Sequence, residues 1–169
     1  MQENKGYLHK NLKKIISFLS ILIWMIIIFF MSSMSSLDSN YKSKKIIAKV
    51  VDSAQTINVE KKNSNQQSQL VNDLNKPLRK LAHACFYLIL GILIINYQFL
   101  NDKCQSSKVF ISVFLCFLYA CTDEFHQLFV VGRTGQFRDV MIDTFGAAVG
   151  CLIYYQFFKN HKKAAVILK

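Results

Sequence analysis

The stretch CTDEFHQLFVVGRTGQFRDVMIDTFGAAVG, residues 121–150, carries Asp123, Glu124, His126, Arg133, Arg138, Asp139 and Asp143. Carboxylates, an imidazole and guanidinium groups this close together can transfer protons, pair with one another, or hold an anionic group such as a phosphate. Upstream, Lys80, His83, Tyr87 and Gly91 follow i, i+3, i+7, i+11 and share one stripe of a helix. Asp123 with Gln127, and Asp139 with Asp143, are i,i+4 pairs. Gly132 and Gly135 flank the segment around Arg133, where a glycine backbone can turn close to a ligand.

The elements that must position these groups are membrane helices. Of 169 residues 52% are hydrophobic, with 14 Phe and a single Pro, which is oily for a soluble domain of this length. The first apolar run, Ile15–Met31, extends with the following serines over about 15–34. Its apolar core is longer than that of a signal peptide and no A-x-A-like site follows, so it reads as a retained helix. Further spans are expected at about 80–100, 109–129 and 139–158. Each approaches the roughly 20 residues that cross about 30 Å of hydrocarbon. The chain is therefore expected to be all-α, an integral membrane bundle of four transmembrane helices in a single domain.

Charge placement sets the orientation. The formal charge is +11, but the lysines gather in the tails and in loops beside apolar runs, so they belong to membrane topology and not to a nucleic-acid surface. Basic residues are nearly balanced between the two sides, so position decides. Lys10, Lys13 and Lys14 abut the first span, whereas nothing basic follows it before Lys42. Both termini are expected to be cytoplasmic, with residues 35–79 forming an external loop. Within that loop Ile46, Ile47, Val50, Val51, Ala54 and Ile57 fall on one helical face opposite Lys42, Lys45, Lys49 and Asp52, an amphipathic helix for the membrane surface. EKKNSNQQSQ reads as a polar linker, and Pro77 suits the first turn of the second span. The five cysteines, Cys85, Cys104, Cys116, Cys121 and Cys151, form no CxxC and read as small hydrophobes.

Four spans of alternating direction bring the polar groups together. The second starts, the third ends and the fourth starts on the same side, so Lys80, His83, Asp123, Glu124, Gln127, Asp139 and Asp143 share one end of the bundle. The SSMSS cluster closing the first span joins them. Glu124 lies about 22 Å along the third helix from Val109, within the outer half of the bilayer, where ionised groups must face inward and pair. A polar pocket at the outer end follows. Gly146 and Gly150 form a GxxxG that admits another helix, either of the same bundle or of a second protomer in a homo-oligomer.

RKLAHACFYLILG, YACTDEFHQLFVVGRTGQFRDVMIDTFGAAVG and WMIIIFFMSSM together resemble the VanZ-like family of small bacterial membrane proteins. K-x-x-H-x-x-x-Y, D-E-x-x-Q, G-R and D-x-x-x-D-x-x-G appear in the right order and spacing. The resemblance implies a polar signature of Lys80, His83, Tyr87, Gly91, Asp123, Glu124, Gln127, Gly132, Arg133, Asp139, Asp143, Gly146 and Gly150. Val131 stands where many relatives have Pro, and Asp143 where others have Asn. The founding member is associated with resistance to teicoplanin, a lipid-tailed glycopeptide, so the resemblance implies a bacterial cell-membrane location and an envelope role.

Three uses of the cluster stay open. The charges can be internal bridges holding the helices in register. They can bind membrane lipids or an anionic, lipid-linked envelope ligand through Lys80, His83, Tyr87, Asp123, Glu124, Gln127, Arg133, Asp139 and Asp143. Or they can be catalytic, with His83 and Glu124 as an acid–base pair in a membrane-embedded hydrolase or transferase. Binding is favoured over catalysis. No cofactor is expected, and no HExxH-type spacing supports a metal on His83, Glu124 and Asp143. Four helices are few for a transporter, and none is visibly broken.

Overall fold

The computed structural model describes residues 2–33, 45, 64–101, 106–130 and 135–167. Four helices account for nearly all of these: α1 (Gln2–Ser33), α2 (Ser64–Asn101), α3 (Ser106–Gln127) and α4 (Phe137–Ile167). Among the described residues there is no strand. Spans long and apolar enough to cross a membrane run Leu8–Ser33, Pro77–Leu100, Ser107–Gln127 and Phe137–Lys159. The all-α membrane bundle expected from the apolar runs is thus the fold observed. The amphipathic segment over 42–57 lies, Lys45 apart, outside the described residues, as do Gly132 and Arg133.

Boundaries differ from the expectation in three places. The first span begins at Leu8, ahead of the expected 15, and takes in Lys10, Lys13 and Lys14. Much of the expected polar linker is helical, because α2 begins at Ser64 and runs unbroken into the span. Pro77 therefore opens the span, as expected, but lies well inside the longer helix. A proline there removes one ladder bond, to the carbonyl of residue 73. That carbonyl precedes the span, which starts at Pro77 itself, so the loss falls outside the hydrocarbon. The third span also stops earlier than expected, at Gln127. A tighter turn closes it, with Leu128, Phe129 and Val130 donating to the carbonyls of Phe125, His126 and Gln127 at 3.3, 3.0 and 3.1 Å.

Packing centres on α2 and α4, which run in the same direction. A Cβ added at Gly146 would stand 2.3 Å from the Ala84 carbonyl oxygen, and one at Gly150 only 2.2 Å from that of Leu88. Gly91 answers from the other side, 2.5 Å from the Ala147 carbonyl oxygen by the same construction. The small-residue stripe is thus filled by a helix of the same chain, one of the two partners the GxxxG left open. Cys151 Sγ adds a hydrogen bond to the Gly91 carbonyl at 3.4 Å.

Aromatic side chains that reach backbone carbonyls fasten α1 to α2 and α3 to α1. Trp24 Nε1 donates to the Phe86 carbonyl at 2.9 Å, its ring 5.7 Å from that of Phe86. Tyr119 Oη donates to the Met25 carbonyl at 2.7 Å. At the end where α2 finishes, Tyr154 Oη donates to Asn96 at 2.6 Å, and Lys108 Nζ donates to the Gln98 carbonyl at 3.0 Å. Between these ends lie Ile28, Leu90, Ile94, Cys116 and Ala120, all buried. The outward faces stay apolar: Phe110 is 74% and Phe145 70% exposed. That is a surface for lipid tails and not for water.

Candidate functional site

The end of the bundle where α1 and α3 finish and α2 and α4 begin, the polar end, holds a small cavity of about 20 Å³. α2 contributes Arg79, Lys80 and His83, α3 contributes Glu124 and Gln127, and α4 contributes Asp139, Ile142 and Asp143. The lining comes from three helices because parity returns them to one level, and because i,i+3 and i,i+4 spacing turns each set inward.

The groups around the cavity divide by what they touch. Lys80 Nζ pairs with the Asp139 carboxylate, joining the first turns of the two spans. Asp139 also lies in the first turn of α4, where an acidic side chain is favoured by the exposed N–H groups; its own N–H reaches the Gln136 carbonyl at 2.8 Å. Glu124 Oε2 accepts from the Gln136 backbone N–H at 2.8 Å and so fixes the approach of α4 to α3. Gly135 packs on the same turn: a Cβ there would come 2.8 Å from the Glu124 carbonyl oxygen and from a Leu128 methyl.

A second set lies beside the cavity, between α1 and α3. Ser32 Oγ donates to Asp123 Oδ2 at 2.8 Å and accepts from Gln127 Nε2 at 2.7 Å, while Gln127 also reaches Asp123 at 3.2 Å. This buried triad accounts for the serine that closes α1. His126 points away from the cavity: its ring meets Phe29 edge-on with centroids 4.5 Å apart, and its Nε2 lies 3.5 Å from Ser33 Oγ.

Asp143 is different. It is 2% exposed and its carboxylate faces the cavity. Among the described residues, no hydrogen bond or ion pair reaches it. It sits one turn below Asp139, about 6 Å deeper along the helix. Beyond the cavity Tyr87 is 0% exposed, and its Oη has no hydrogen-bond partner among the described residues. A buried acceptor without a donor costs free energy that a well-packed apolar side chain would not.

Of the residues expected at the site, Lys80, His83, Glu124, Gln127, Asp139 and Asp143 line the cavity, whereas Tyr87 and Asp123 sit beside it in the packed interior. Arg133 lies outside the described residues. Among those residues no three His, Cys, Asp or Glu side chains converge as metal ligands, so His83, Glu124 and Asp143 do not form the metal triad weighed above. Arg79 and Ile142 were missed as wall residues; Arg79 is adjacent to Lys80, and only packing could show that both reach the cavity.

A second and much larger concavity, about 630 Å³, opens on the outer surface between α2 and α4. Its walls are Leu81, Leu88, Met141, Phe145 and Val149, and Lys80 and Arg138 stand at its polar end. The cause is the small-residue stripe. Where Ala84 and Gly146 bring the backbones into contact, the larger side chains on either side leave a furrow.

These features define a class: a small multi-pass membrane protein with a polar cavity at one end and an apolar furrow beside it. The chain belongs to the VanZ/LLP1 family, whose profile matches residues 17–159, a stretch that takes in most of α1 and the other three spans whole. Nothing among curated proteins or solved structures matches it.

Proposed function

We propose that the polar end faces the outer side of a bacterial cell membrane and binds the headgroup of a membrane lipid or lipid-linked envelope component. One observation carries this: the Asp143 carboxylate is buried, faces a cavity, and has no partner among the described residues. A carboxylate kept to hold helices together would lie on another helix's donor, as Asp139 lies on Lys80. Arg79, Lys80 and His83 supply positive charge beside it, suited to a phosphate. Lys10, Lys13 and Lys14, just ahead of the apolar run that begins at Ile15, support the sidedness.

The structural and binding readings then apply to largely different residues. Ser32, Asp123 and Gln127 fasten helices, Glu124 fastens a turn, and Lys80 serves both, paired with Asp139 and lining the cavity. Asp143 and His83, with Arg133 from the segment that joins α3 to α4, are assigned to the ligand. The hydrogen bond from Gln136 to Glu124 favours a positioning role for that carboxylate over acid–base work with His83. Membership of the family supports an envelope role, for which altered sensitivity to teicoplanin-type glycopeptides is the phenotype to assay.

Native mass spectrometry of the full chain in mild detergent tests the reading. A co-purifying lipid is expected on the unaltered protein and absent from His83→Ala and Arg133→Ala, with both variants still folded. Arg133→Lys should show a graded loss, since a point charge replaces a two-pronged donor. Adducts retained by both alanine variants would overturn the assignment. A reporter active in the cytoplasm when fused within residues 35–63 would reverse the sidedness.

A further inference from the structure

The two concavities share two residues and differ sharply in size and polarity. Lys80 and Ile142 line both. The polar cavity, about 20 Å³, has room for one water-sized group, since a single water needs roughly 10–15 Å³ on this measure. The furrow of about 630 Å³ is more than an order of magnitude larger and almost wholly apolar. It runs from Pro77 to Leu88 along α2 and from Arg138 to Val149 along α4. At 1.5 Å per residue each stretch covers about 16 Å, roughly half of a 30 Å hydrocarbon core and so one leaflet deep.

Charge is graded along the same line. Arg138 is exposed at the mouth, Arg79 and Lys80 are half-buried beside it, and Asp143 lies innermost. An occupant that satisfies all three levels is apolar over one leaflet, anionic at the mouth, and tipped by a small hydrogen-bond donor. A phosphate alone leaves Asp143 without a donor. An anionic tip would face that carboxylate directly, with Glu124 and Asp139 beside it. A trimethylated ammonium exceeds the cavity and donates no hydrogen bond. A primary ammonium is water-sized, carries three donors and complements a carboxylate.

Resting on the headgroup site proposed above, we propose that this protein binds an aminophospholipid. One acyl chain occupies the furrow between α2 and α4, the phosphate meets Arg138 and Lys80, and the primary amine enters the cavity onto Asp143.

The test uses the full-length protein, delipidated in detergent and titrated by native mass spectrometry with four dioleoyl lipids. These are phosphoethanolamine, phosphocholine, phosphoglycerol and phosphatidic acid. The phosphoethanolamine lipid is expected to bind tightest, on the order of tenfold to a hundredfold over phosphocholine and phosphatidic acid, as befits one buried charge-assisted hydrogen bond. Asp143→Asn should reduce that preference to within about threefold, well under the 1.4 kcal/mol that separates tenfold affinities. Met141→Trp, which fills the furrow, should weaken all four lipids alike.

Tighter binding of phosphatidic acid or phosphoglycerol, or a phosphoethanolamine preference that survives Asp143→Asn, overturns the amine assignment and leaves the headgroup site standing. Equal affinity for all four lipids does the same. Failure of every lipid to bind the folded protein removes both.

Discussion

Asp143→Leu should leave the protein at least as resistant to thermal unfolding as the native chain while abolishing its preference for the phosphoethanolamine lipid. The two effects point in opposite directions for a physical reason. If Asp143 held the bundle together, removing it would strand a partner charge and cost about 3–5 kcal/mol, a large part of the roughly 5–15 kcal/mol that keeps a domain folded. Among the described residues no hydrogen bond or ion pair reaches this carboxylate, so its removal strands nothing. Leucine has the same branched shape, its larger methyl groups can extend into the adjoining cavity, and it removes the penalty of burying a polar group without a donor. The expected change is zero to a stabilisation of about 1–4 kcal/mol, the range found when well-packed apolar residues replace buried ions. Thermal unfolding in detergent, read beside the lipid titration, checks both halves. A variant that loses stability and that preference together would return Asp143 to the scaffold.

Gly146→Leu is expected to have the opposite profile, a collapse of the fold with no interpretable binding. The contact opposite Gly146 is the Ala84 backbone carbonyl, 2.3 Å from where a Cβ would stand. A side-chain tip could swing aside; a helix backbone cannot. Gly150 and Gly91 make the same demand within two turns, so α2 and α4 would have to part along their whole contact. Overpacking of a core typically costs about 1–3 kcal/mol, and a clash with rigid backbone belongs at or beyond the top of that range. The expected readout is little folded protein in the membrane fraction and a large drop in Tm for what remains. Leu152→Phe, on the outward face of the same helix, should fold normally.

Much of this architecture was legible because two strong signals dominate the chain. Apolar runs of nearly twenty residues admit few readings besides a span, and alternation of direction then places Lys80, Asp139 and Glu124 at one end without any coordinates. Spacing also turned the right residues inward. What it could not do was separate groups that share a face. Lys80, Asp139 and Asp143 look alike as charges on two stripes, yet one pair is closed and the third is open. That difference depends on rotamers and on which helices approach most closely. The partner of Gly146 and Gly150 was undecided for the same reason, since a small-residue stripe fits a neighbour of either chain.

Pro77 marks the start of the span but not the start of the helix. A proline is read as a boundary because it breaks the hydrogen-bond ladder. Here the helical spacing of Leu70, Leu74 and Leu78 continues through it, and the freed carbonyl lies ahead of the span. The furrow had no sequence signal. It arises where small and large residues on two helices alternate in three dimensions, and neither helix carries it alone.

Photo-crosslinking addresses the lipid site most directly. A phospholipid bearing a diazirine near its headgroup, activated on the full chain in membranes and mapped by peptide mass spectrometry, should label α2 around residues 79–88 and α4 around residues 138–149. Labelling there should be competed by unlabelled lipid and reduced in His83→Ala. Crosslinks spread evenly over the outward faces of all four helices, with no enrichment at the polar end, would contradict a lipid site in the bundle.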